Sequence, residues 1–220
     1  MQQDDKLRRA RSQDQKAQRQ AAILSAARDI IDESGFDGVT MSGLAKRAGL
    51  AKGTLYLYVR TKEELFLLLC VEAMDEVVTR FKTTAKPGDS AADLARLMTV
   101  NAQSTPLFLS LFARLVAVIE ANVADEPFFA AKRQLLSLGQ DWAVHLGHVT
   151  GVAPEKVAPL ASTLQMAMLG AAQFDISACR DPGTLPEDLQ EAFAAHAFAP
   201  SFEPAARLIL EAVMDPPTTA

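Results

Sequence analysis

Six residues able to meet a polyanion or a base edge fall within seven positions: Lys52, Gly53, Thr54, Tyr56, Leu57 and Tyr58. Lys52 carries an ammonium that can donate to guanine O6 and N7, or to a phosphate. Thr54 offers a base contact, a methyl for thymine, or a cap for its own helix. Gly53 has no Cβ to hold another backbone away, and an amide near a helix N-terminus suits phosphate. Leu57 is an apolar side chain that gains by meeting bases or methyl groups. Tyr56 and Tyr58 are the two tyrosines of the chain. Each can bury its ring and extend its hydroxyl to a phosphate oxygen.

Other constellations are weaker. Asp141, His145 and His148 share a helix face at spacings of four and three. Residues 141 and 148 would lie about 10 Å apart along a helix axis, too far for one ion, and two ligands make no firm site. No metal and no cofactor is expected. The two cysteines, Cys70 and Cys179, lie in apolar runs and form no disulfide framework. No nucleophile elbow, P-loop or dinucleotide fingerprint occurs. A helical enzyme is therefore a remote alternative.

The 220 residues are 49% hydrophobic and 22% charged, enough for one large domain or two modest ones. The net charge of −5 is unevenly spread. Residues 1–62 hold 12 Lys+Arg against 7 Asp+Glu, and the remainder holds 10 against 20. That asymmetry expects a polyanion at one end only. The N-terminus lacks a signal-peptide pattern. The longest apolar run, Leu107 to Ile119, is thirteen residues and contains Arg114, short of a membrane span. A soluble cytoplasmic protein with no membrane partner is expected.

The spacing predicts an all-α chain. A polar, basic arm over 1–19, solvated or a frayed helical extension, contains Arg8, Arg9 and Arg11, which can add non-specific attraction or minor-groove contact. Helix one carries Ile23, Ala27, Ile30 and Ile31 inward and stops at Gly35, with Phe36 packing back on it. Thr40 caps a second helix, Met41 to Ala48, which Gly49 ends. The third helix is the opening segment, too short to persist alone. Leu55 and Val59, four apart, fasten it to its neighbours, and Gly53 and Leu57 point outward. Two helices joined by a tight Gly-containing turn make a helix-turn-helix unit, whose second helix reads the major groove. A fourth helix runs from about Lys62 to Phe81, apolar nearly all round. Further helices are expected near 89–104, 106–122, 127–149, 154–179, 186–196 and 203–214.

The run "ILSAARDIIDESGFDGVTMSGLAKRAGLAKGTLYLYVRTKEELF" resembles the DNA-binding region of the tetracycline-repressor (TetR) family of bacterial transcriptional regulators. The likeness covers about residues 20 to 66 and rests on elements recurring in order: Gly-Phe after the first helix, "LAKRAG", "KGTLY" and "KEEL". It implies that Lys62 and Thr40 anchor phosphates. Three positions depart from the pattern: Ala51 replaces a capping hydroxyl, Val59 replaces the usual Phe, and Gly43 replaces a frequent acid.

The resemblance implies domains at 20–66 (helix-turn-helix) and 67–220 (effector binding and dimerisation). It implies a homodimer bound to a palindromic double-stranded operator, more often repressing than activating, and released when a small-molecule effector shifts helix four. A non-specific architectural DNA binder is the alternative. Leu160, Leu164, Ala167 and Ala171 form a helical stripe expected at the dimer interface or in the chain's own core. The candidate effector contacts are Asn101, Gln103, Phe108, Phe112, Arg114, Trp142, His145, Gln165, Met166 and Gln173.

Overall fold

The computed structural model describes residues 2–175 and 185–214, and among these every regular element is helical. The order is α1 (Gln2–Ser34), a 3-10 turn (Phe36–Gly38), α2 (Met41–Arg47), α3 (Lys52–Leu55), α4 (Lys62–Thr84) and α5 (Ala91–Ser104). Then come α6 (Phe108–Arg114), a π-helical turn (Leu115–Ile119), a 3-10 turn (Glu120–Asn122) and α7 (Asp125–Thr150). Helices α8 (Pro154–Phe174), α9 (Glu187–Ala195) and α10 (Phe198–Met214) follow.

The first three helices form a small unit around Ile23, Leu24, Ala27, Leu44, Leu55 and Val59, all buried. Helix α1 is continuous, so the basic arm is its first half rather than a separate segment; the side chains of Arg8, Arg9 and Arg11 lie outside the described residues. Phe36, in the 3-10 turn that packs beside α1, also reaches across the unit. Its ring meets Phe66 of α4 edge-on at 5.2 Å, and the Arg114 guanidinium lies 4.8 Å from its centroid. Those neighbours are distant in sequence, so helical spacing alone did not reveal them.

Helix α4 is the spine. Leu65, Phe66, Leu67, Leu69 and Cys70 are buried in succession, consistent with its nearly all-round apolar pattern. It packs on α1 of the three-helix unit and on α5, α6, α7 and the π and 3-10 turns between them. Thr61 caps it by accepting from Glu64 N at 3.0 Å, and Arg60 N donates to Glu64 Oε2 at 2.7 Å. Helix α5 begins with a capping box between Ser90 and Asp93.

Two expected helices differ. The 106–122 span breaks into α6, the π turn and the second 3-10 turn, because a π turn inserts a residue into the helical ladder. Leu107, just before α6, takes a left-handed backbone with φ 62, a costly conformation for a branched side chain. The last helix starts at Phe198 rather than Glu203 and runs through Pro204. Phe198 and Phe202 stack at 5.2 Å in the core, and Phe198 N donates to Asp175 Oδ2 at 3.0 Å. A cap from 23 residues away supports this start. The expected α8 ends at Phe174, and its projected remainder, Cys179 included, lies outside the described residues.

The Leu160 stripe lies in the chain's own core, the second of its two expected places. Leu160, Leu164 and Ala171 are buried inside the chain and Ala167 is half-buried, because α6, α7 and α10 cover this face of α8. Beside that stripe, Met166 is 63% and Phe174 67% exposed, and Leu208 of α10 is 62% exposed. Gly170 lies between Met166 and Phe174 on α8, and a Cβ there would meet nothing within 4 Å. Helices α7 and α8 approach closely at one end, where a Cβ on Gly147 would lie 2.8 Å from Val157 Cγ2. At Gly139 the same test meets only Gln165 Nε2, at 3.4 Å.

Candidate nucleic-acid interface and effector cavity

Helix α3 is one turn long, so its place is set by what holds it. Leu55 and Val59 are fully buried, and Gly49 takes φ 66 to make the turn from α2. The outward set then follows: Leu57 is 79% exposed and Tyr56 40% exposed. Lys52 and Gly53 are exposed as well, with no neighbour within 4 Å of a Cβ built on Gly53. Lys52 Nζ lies 6.0 Å from the Tyr56 ring centroid, which keeps the ammonium beside the aromatic face. Thr54 and Tyr58 are half-buried on the flanks, and Tyr58 packs against the core. Leu57 is the most exposed large apolar side chain among the described residues, available to meet bases or methyl groups though a lone surface leucine is common.

The caps are as the side chains dictate. Thr40 Oγ1 accepts from Gly43 N at 3.1 Å, so the hydroxyl is engaged with α2, although the residue itself is exposed. Ala51 caps α3 with no side-chain hydrogen bond. Lys62 is half-buried at the head of α4. Lys46 in the last turn of α2 and Arg60 before α4 are exposed cations that the motif reading passed over; their charge alone marked them. Arg47 is committed elsewhere, bonded to Glu33 by Nη1–Oε1 at 2.9 Å and Nη2–Oε2 at 2.5 Å. That bidentate hydrogen bond holds the Glu33 carboxyl below its ordinary value of 4.5. Arg28 of α1 pairs with Glu72 of α4.

A cavity of about 210 Å³ lies between α4, α5, α6, α7 and α8. Met74, Val77, Val78 and Phe81 of α4, Met98 of α5, and Leu164 and Met168 of α8 supply apolar wall. Of the candidate contacts, the cavity gathers Asn101, Phe108, Phe112, Trp142 and Gln165. Asn101 is buried, and its Nδ2 donates to Thr84 Oγ1 at 3.2 Å. Gln103, Arg114 and Gln173 instead line a second, more polar cleft beside α6, which shares Phe108. His145 stands behind the cavity with its ring edge-on to Phe81 at 5.8 Å, and Met166 faces away into solvent. Met74, Met98 and Lys132 were missed; their lining role depends on which helices meet. The exposed members of the wall, Leu136 and Gln165, mark a mouth between α7 and α8.

Cys70 is inert by environment: burial, then the nearby Glu120 charge, pushes its thiol up to about 12. Among the described residues no group of three or more His, Cys, Asp or Glu is placed to hold a metal ion. No helix among them is long and apolar enough to cross a membrane.

Comparison with known proteins decides what this arrangement is. Residues 23–69 match the family model described as bacterial regulatory proteins, TetR family, and residues 70–215 match the tetracyclin repressor-like C-terminal domain. The chain belongs to the TetR family.

Among curated TetR-like relatives, the fatty acid metabolism regulator protein of Bacillus subtilis is 33% identical over 84 residues, 38% of this chain and 43% of that protein. The class D tetracycline repressor of Escherichia coli is 36% identical over 53 residues, 24% of each chain. The matched stretch spans less than half the length of these relatives. A TetR regulator from Rhodococcus sp. RHA1 superposes with a TM-score of 0.60 at 19% identity, covering 93% of this chain and 100% of that one. RolR, solved with resorcinol, gives 0.55 at 19% identity over 94% and 98%. The chain is thus a TetR-family helix-turn-helix regulator of transcription, and its relatives are regulators rather than enzymes.

Proposed function

We propose that the protein acts as a homodimeric repressor that binds a palindromic operator and leaves it when a small molecule enters the α4–α8 cavity. The observation that carries this reading is α4 itself. One unbroken helix begins at Lys62 beside the recognition helix and lines the cavity with Met74, Val77, Val78 and Phe81. Lys62 and Phe81 are roughly 28 Å apart along it. A ligand that prefers one tilt of α4 therefore biases the placement of α3, provided it binds the two states unequally.

Residues 20–66 are the reading head and 67–220 the effector and dimer body, with 1–19 as a basic extension of α1. Thr40, Lys52, Gly53, Thr54, Tyr56, Leu57, Tyr58 and Lys62 form the DNA face. The second copy packs on the outward faces of α8 and α10, around Met166, Gly170, Phe174 and Leu208, which the chain leaves uncovered. A two-fold dimer places half-sites about one helical turn, ~34–36 Å, or a multiple apart.

Selection of bound sequences from random DNA, followed by release assays with pools of small molecules, tests the proposal. A palindrome is expected, together with pools that lower operator affinity. Lys62→Ala should weaken binding to all sequences and lower the salt slope by about one. Lys52→Ala should change which operator positions matter, each lost base contact being worth ~1–3 kcal/mol. Parent-like binding by both variants would refute the assigned roles. Equal effector affinity for free and operator-bound protein would refute release.

A further inference from the structure

Lys132 is the charged residue on the cavity wall. Its Nζ lies 2.6 Å from Glu120 Oε1, with the Glu120 side chain 11% exposed and that of Lys132 37%. That carboxylate oxygen nevertheless lacks a donor aligned as a hydrogen bond. The Glu120 carboxylate is largely dried while Lys132 keeps more than a third of its side chain exposed, so the pair recovers only part of the cost of burying the carboxylate. The pair also joins two elements of unequal length. Lys132 is in the second turn of the long α7, whereas Glu120 opens a short 3-10 turn directly after the π turn. Its neighbours Ala121 and Asn122 are exposed, so a change of rotamer takes the Glu120 carboxylate toward water.

We infer that the cavity takes a compact, mainly apolar organic monoanion, a carboxylate being the simplest, whose head group replaces Glu120 as the partner of Lys132. This rests on the reading of the cavity as the effector site. The walls supply the apolar requirement through α4, α5 and α8. The volume of about 210 Å³ is below the ~300–1,000 Å³ of drug-sized sites, so the body is small. Two carboxylates sharing one ammonium in a poorly hydrated wall leave an uncompensated negative charge, so ligand and Glu120 compete. An organic cation has no comparable route, because Glu120 is not itself on the wall and lies behind Lys132. A neutral molecule gains the apolar contact alone.

Calorimetric titration of the full chain with octanoate and cyclohexanecarboxylate, each beside its primary amide, reads the preference. Each acid is expected to bind at least about tenfold more tightly than its amide. Glu120→Gln removes the competitor and should tighten the acids severalfold while leaving the amides unchanged. A merely structural Glu120 that aims Lys132 predicts the opposite sign. The double variant Lys132→Met/Glu120→Gln strands no buried charge and should bind acids and amides alike, with circular dichroism confirming its fold. Amides as tight as acids, or weaker acid binding in Glu120→Gln, overturn the inference and leave the effector site standing. Failure of all four compounds overturns it too. Operator release by the mixed pools then separates a wrong ligand class from a wrong effector site.

Discussion

Single residues carry the proposed reading of DNA, and a few can be tested without DNA. Ala51 occupies the N-cap of α3 with an extended backbone and no side-chain bond to the first turn. Ala51→Ser restores that acceptor and should raise stability by about 1 kcal/mol, read from denaturant unfolding. The Arg47–Glu33 pair gives a pH signature. Glu33 is held below its ordinary 4.5 chiefly by the Arg47 hydrogen bond. A carboxyl with a lowered folded pKa contributes stability above its unfolded value and loses it as pH falls through the folded one. The parent should therefore exceed Glu33→Gln in stability at neutral pH by a small amount, since the pair is exposed. The gap should close as pH drops below about 4.5 in urea titrations at successive pH. A gap that persists in acid would assign the effect to something other than the pair.

At the scale of elements, Leu55, Val59 and Leu57 were legible because a four-residue spacing on so short a helix leaves little choice of face. The stops at Gly35 and Gly49 were legible because both take positive φ, 72 and 66. The start of α10 was not, since Pro200 and Pro204 argue against a helix while the Asp175 cap and the Phe198–Phe202 stack come from distant contacts. Nor was the inward turn of Leu160 and Leu164, because an apolar stripe does not say whether its cover belongs to the same chain. The cavity was half legible: Asn101, Phe108, Phe112, Trp142 and Gln165 line it, but nothing in the sequence singled out Lys132. Packing between α7 and α8 makes a paired prediction. Gly139→Ala meets only a long side chain at 3.4 Å, so it should gain about 0.5–1 kcal/mol of helix propensity. Gly147→Ala must push against Val157 at 2.8 Å, and overpacking of ~1–3 kcal/mol should outweigh the same gain. Adding Val157→Ala should recover the loss; thermal melts of the three variants check the order.

For the whole molecule, the decisive question is which surface a second copy covers. Gly170 separates folding from association. Its Cβ site is open within the chain, so Gly170→Ala should stabilise the monomer by up to about 1 kcal/mol. If the partner packs there, the same methyl obstructs close approach of two helices and raises the dimer dissociation constant. Sedimentation equilibrium together with chemical unfolding reads both numbers; an unchanged dissociation constant would move the interface elsewhere. A variant at Leu160 cannot make this distinction, because that side chain is buried in its own subunit and its loss perturbs the fold itself.

The near-contact of Gly147 with Val157 has a wider meaning. Helices α7 and α8 are joined there like the blades of scissors at their rivet, and the mouth at Leu136 and Gln165 is where the blades part. If the cavity takes an effector as proposed, guests of different girth can be admitted by trimming side chains at the tips. The rivet stays untouched, and the scaffold that holds the DNA-reading end is undisturbed.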